Sequence, residues 1–114
     1  MLLTILFLFT FAVVIGLFMV VLGLRYRRSS LPLALSHAAL ALIALGLLFN
    51  QIFTQAINKF NNAAALLMVL ALIGGLMLFA LREKNKPPAM ILVTIHAAMG
   101  LGGLLVLFLG FQDV

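Results

Sequence analysis

Hydrophobic residues along this chain fall in four long blocks, without the one-faced or alternating spacing of a soluble protein. The first block runs from about Leu2 to Leu24 and the second from about Leu31 to Phe49. The third covers about Ala63 to Leu81 and the fourth about Pro88 to Phe111. Each is close to the roughly 20 apolar residues that cross a bilayer as a helix. They are too long and unbroken for barrel strands, which alternate over about ten residues. Backbone polar groups in lipid must be satisfied within the segment, so each block reads as a helix. The pattern predicts an all-α integral membrane protein, a four-transmembrane-helix up-down-up-down bundle forming a single domain over residues 1–114.

The connections refine that outline. Arg25–Ser30 and Arg82–Pro87 are short and basic, whereas Asn50–Asn62 is longer. Within it Ile52, Phe53, Ala56, Ile57 and Phe60 recur at helical spacing opposite Gln51, Gln55, Asn58 and Lys59. That spacing predicts a short interfacial helix over about 50–62, lying across the outer end of the bundle. Ser29 or Ser30 can cap the second helix, with Pro32 in its first turn, and Pro87 and Pro88 open the fourth in the same way.

Composition removes the soluble alternatives. Of 114 residues, 67% are apolar and only 8% charged, with a mean hydropathy of +1.37. A soluble domain of this size buries only about 60–70% of its unfolded surface and could not hide so much apolar area. A soluble enzyme and a disordered segment are excluded. There is no cysteine, hence no disulfide, thiolate metal site or thiol nucleophile.

The net charge of +5 is a topology signal, not a nucleic-acid surface. Arg25, Arg27 and Arg28 sit in the first connection and Arg82, Lys84 and Lys86 in the third, against Lys59 alone in the second. The positive-inside rule puts the first and third connections in the cytoplasm and both termini outside. Short connections with this basic bias suit a bacterial inner membrane. The first block has no basic residue before it, and Arg25-Tyr26-Arg27-Arg28 follows it directly, so it reads as an anchor, not a cleaved leader.

A repeat supplies the first chemistry. Shifted by 59 residues, His37-Ala-Ala-Leu-Ala-Leu-Ile-Ala-Leu-Gly-Leu-Leu-Phe49 lies over His96-Ala-Ala-Met-Gly-Leu-Gly-Gly-Leu-Leu-Val-Leu-Phe108, with seven of thirteen positions identical. Leu and Ala match cheaply in apolar helices. The two histidines do not, because they are the chain's only ones. The same shift places Gly16-Leu17 over Gly75-Leu76 and Arg25 over Lys84. Two parallel helix-pair repeats, related by a pseudo-twofold along the membrane normal, account for this.

In such a bundle the second and fourth helices are diagonal neighbours, and both histidines lie roughly 14 Å along the helix from the last cation, at 1.5 Å per residue. The pseudo-twofold would turn the imidazoles towards each other. Ala41 and Ala44 follow His37 on its stripe, and Gly100 and Gly103 follow His96, leaving room for something flat and apolar. Two neutral imidazoles at equal depth suit one non-covalent haem b, with His37 and His96 as axial ligands of its iron. Its propionates would pair with Arg25, Arg28 or Arg82, among the cytoplasmic cations. Ser36, Thr94 or backbone carbonyls one turn back would take the imidazole Nδ1–H.

The His-Ala-Ala-x-Gly-x-x-x-Leu stretch at His96, with its twin at His37, resembles the haem-binding helices of small membrane cytochromes b, the cytochrome b561 superfamily being the nearest. The resemblance covers the two histidine helices, about a third of the chain. It implies a four-helix core that passes electrons in the membrane, with His37 and His96 as ligands. Members of that superfamily usually carry four haem histidines for two haems, whereas this chain has two. A one-haem relay to a partner protein or quinone, alone, as a homo-oligomer or within a larger complex, is the expectation.

Other classes have less to work with. A small multidrug transporter needs a carboxylate within a span, and the only acids are Glu83, in a connection, and Asp113, at the end. No Ser/His/Asp set shares a depth, so an electron carrier is expected before an enzyme in its own right. The rival is a non-catalytic small subunit or assembly protein of a larger membrane complex, with structural histidines.

Overall fold

The computed structural model of the protein describes residues 2–25, 31–55, 58–84 and 89–112. It is all-α, with helices α1 (Leu2–Arg25), α2 (Leu31–Thr54), α3 (Lys59–Glu83) and α4 (Met90–Gln112). All four are long and apolar enough to cross a membrane, as the hydrophobic blocks predict. Their outer surfaces agree. Phe7, Phe11, Val14 and Phe18 on α1 and Leu66, Leu70, Ile73 and Met77 on α3 are exposed apolar stripes. Helices apolar all round suit a lipid solvent, and the protein is an integral membrane protein of the four-helix class.

The helices form two compact units, Met1–Ile57 and Asn58–Val114. Within the first unit α1 packs on α2, and within the second α3 packs on α4. The second pair is antiparallel: Gly75 meets His96 near the start of α4, while Gly110 near its end meets Phe60 and Asn61 at the start of α3. In the first pair His37, near the start of α2, meets Gly16 on α1.

The repeat is written into the packing. The buried residues of α1 are Leu2, Ile5, Leu6, Phe9 and Ala12; those of α3 are Asn61, Ala64, Ala65, Met68 and Ala71. Every member of the second set is its counterpart in the first shifted by 59 residues. On the partner helices the buried Ala44 and Leu48 correspond to Gly103 and Leu107 in the same way. Only Ala12/Ala71 and Leu48/Leu107 keep their identity, so the offset preserves the buried face more strictly than the residues on it. The second pair uses smaller residues there, which lets helices approach closely. A β-carbon on Gly110 would lie 2.9 Å from the Phe60 Cβ and 3.0 Å from the Asn61 Oδ1.

The expected interfacial helix over 50–62 is replaced by the ends of two spans. Helix α2 continues past Phe49 to Thr54, with Phe49 and Phe53 stacked one turn apart at 6.2 Å between centroids. Helix α3 already begins at Lys59, capped by Asn58 in extended conformation, whose Oδ1 accepts from the N–H groups of Phe60 (2.9 Å) and Asn61 (3.3 Å). Hydropathy falls at Asn50, but a helix ends where its backbone hydrogen bonds are capped, not where its side chains turn polar. Pro32 lies in the first turn of α2 as expected. Ser29, Ser30, Ala56, Ile57, Pro87 and Pro88 lie outside the described residues.

Candidate histidine site

Each pair carries one histidine, and the two are held alike. His37 stands in the second turn of α2, half-buried, with its Nδ1 2.6 Å from the carbonyl oxygen of Ala12 on α1. His96 stands in the second turn of α4, half-buried, with its Nδ1 2.6 Å from the carbonyl oxygen of Ala71 on α3. In both the separation is 25 residues, so the bonds are equivalent under the repeat.

This geometry determines the state of the ring. A carbonyl oxygen only accepts, so each Nδ1 carries the proton and donates it. In the neutral imidazole the lone pair then resides on Nε2. Both histidines therefore engage the facing carbonyl through the same nitrogen.

Glycine makes the approach possible. A β-carbon on Gly16 would lie 3.0 Å from Cε1 of His37 and 3.3 Å from its Nδ1. On Gly75 it would lie 3.0 Å from Cε1 of His96 and 3.6 Å from its Nδ1. The ring thus lies against the facing helix, over a position without a side chain.

The partner of the Nδ1–H differs from the sequence expectation. Ser36 is exposed, and the Thr94 hydroxyl donates to the Met90 carbonyl at 2.9 Å, on its own helix. The acceptors are carbonyls of the facing helix, which the glycines open to the ring. Ala12, Gly16, Ala71 and Gly75 belong to the site, and sequence reasoning missed their role. Their signal was present as two Ala-x-x-x-Gly turns at the 59-residue offset.

The other candidate residues are dispersed. Ala44 and Gly103 are buried within their own helix pairs. Ala41 is half-buried, and Gly100 is half-buried with nothing within 4 Å of a β-carbon placed on it. Arg82 meets Glu83, with Nη1 3.1 Å from Oε1, at a surface where such a pair contributes little. The Arg25 side chain and Arg28 lie outside the described residues. Among the described residues no group of three or more His, Cys, Asp or Glu comes together. No known protein family, curated protein or solved structure matches this chain.

Proposed function

We propose that the protein is a membrane b-type cytochrome that binds one haem b through His37 and His96 and relays electrons in the membrane, alone or as a subunit. One observation carries the reading: both imidazoles donate Nδ1–H to a backbone carbonyl, at 2.6 Å in each repeat. Ligating histidines are held in this way by a second partner, which fixes the tautomer and raises the basicity of the other nitrogen. The donor set also suits the group. Two imidazoles are the protein donors that a b-type haem would take, whereas a structural zinc site takes four residues. Bound haem would supply one-electron chemistry; the chain would supply two oriented imidazoles and an apolar surround that excludes water.

Topology belongs to this reading. The basic first and third connections lie in the cytoplasm of a bacterial inner membrane and both termini lie outside. The redox partner is another membrane protein, a second copy of the chain or a quinone.

A second reading is favoured by the same hydrogen bonds. Each joins the two helices of one pair, as a structural histidine does, and would suit a non-catalytic small subunit or assembly protein. Visible spectra of the protein from haem-replete cells, oxidised and dithionite-reduced, separate the two. A sharp Soret and α-band pair, lost in both His37→Ala and His96→Ala, supports the cytochrome. A colourless wild-type protein supports the structural role.

A further inference from the structure

Ala12 and Gly16 are the two ends of one helical turn. In an α-helix the carbonyl of residue 12 accepts from the N–H of residue 16, and the same carbonyl also receives the His37 Nδ1–H. Ala71 and Gly75 form the corresponding turn for His96. One turn thus provides both the acceptor and, four residues on, the missing side chain over which the ring lies. The histidine follows each glycine by 21 residues (37 − 16 and 96 − 75).

We infer that Gly16 and Gly75 are positioning residues: they seat the two imidazoles against the facing helix and hold both as the Nδ1–H tautomer. Water favours the Nε2–H form of a free imidazole only modestly, so a single well-placed carbonyl is enough to reverse the preference. The seat needs the Cε1 edge of the ring close against the facing helix. An alanine at either glycine would put its Cβ 3.0 Å from the ring's Cε1. The ring is the end of a rotatable side chain, so it gives way by a few tenths of an ångström while the backbone stays, and the bond to the carbonyl is weakened.

The neighbouring position supplies the contrast. A β-carbon on Gly74 would meet the His96 Cβ at 3.4 Å, an ordinary contact. Its counterpart in the first repeat is Ile15, a branched side chain, whereas the counterpart of Gly75 is Gly16. Only the position beneath the ring is glycine in both copies.

The seat deepens the haem reading, since it decides which nitrogen each histidine offers, but it is testable without haem. The test is ring ¹⁵N NMR of the haem-free full chain, labelled at histidine, in lipid nanodiscs, with signals assigned from His37→Gln and His96→Gln. The wild type should show both rings protonated at Nδ1. Gly75→Ala should move the proton to Nε2 at His96 and leave His37 unchanged. Gly16→Ala should do the reverse, and Gly74→Ala should change neither. An Nε2–H ring in the wild type overturns the seat, even if a glycine variant fails to fold. So does an Nδ1–H ring that persists in Gly16→Ala and Gly75→Ala. A colourless protein with this tautomer pattern would remove the haem reading and leave the seat. A haem protein without it would do the opposite.

Discussion

His37 reaches across its helix pair to the carbonyl of Ala12 at 2.6 Å, and His96 repeats the contact with Ala71 at the same distance and the same separation in sequence. Polar bonds between helices in a bilayer contribute about 0.6 kcal/mol on average and up to about 1.7. His37→Ala and His96→Ala are each expected to lose a stabilisation in that range. Equilibrium unfolding by SDS in mixed micelles measures it. A change near zero in both would mean that neither bond forms in the folded protein.

Gly110 gives a second expectation. Its close approach to Phe60 and Asn61, with a β-carbon at 2.9 and 3.0 Å, leaves no room for a methyl group. Gly110→Ala should destabilise the protein by about 1–3 kcal/mol, the usual cost of overpacking. Gly46→Ala, where nothing lies within 4 Å, should be neutral or stabilising by up to about 1 kcal/mol from helix propensity. The same unfolding assay compares them, and equal effects would contradict the packing of α4 on α3.

The start of α3 rests on Asn58, whose Oδ1 accepts from two backbone N–H groups. Asn58→Ala should cost about 1 kcal/mol and Asn58→Asp much less, because aspartate caps as well. Faster hydrogen exchange at Phe60 and Asn61 in the alanine variant alone would locate the effect at the cap.

The topology can be read chemically, since the chain has no cysteine. Single cysteines at Lys84 and at Lys59 are expected to react from opposite sides. In intact cells a membrane-impermeant maleimide should label Lys59→Cys and spare Lys84→Cys until the membrane is opened. The reverse pattern would invert the proposed orientation.

Much of the fold was legible in the sequence, because lipid constrains a span so strongly that apolar length alone marks α1 to α4. The end of α2 and the start of α3 were not legible from hydropathy. Asn50, Gln51 and Asn61 are polar yet helical, and the cap at Asn58 sets the boundary. Of the site, His37 and His96 stood out as the only histidines in two repeated stretches. Their acceptors did not, because a backbone carbonyl has no letter in the sequence. Gly16 and Gly75 were visible as a repeat match, but glycine in a membrane helix also serves plain helix packing. Only the position of the ring over them gives these two a specific role. Ala44 and Gly103 share a stripe with the histidines, yet seven residues along a helix carry that stripe into the interior of each pair.

The proposed cytochrome requires two imidazoles of one chain to hold one haem iron. The most direct measurement is the haem-to-protein ratio of the purified chain, from the pyridine haemochrome and amino-acid analysis. The account predicts one haem b per chain in the wild type, and loss of the bis-histidine spectrum in His37→Ala and His96→Ala alike. No haem in protein from haem-replete cells, or a full complement surviving either substitution, would contradict it.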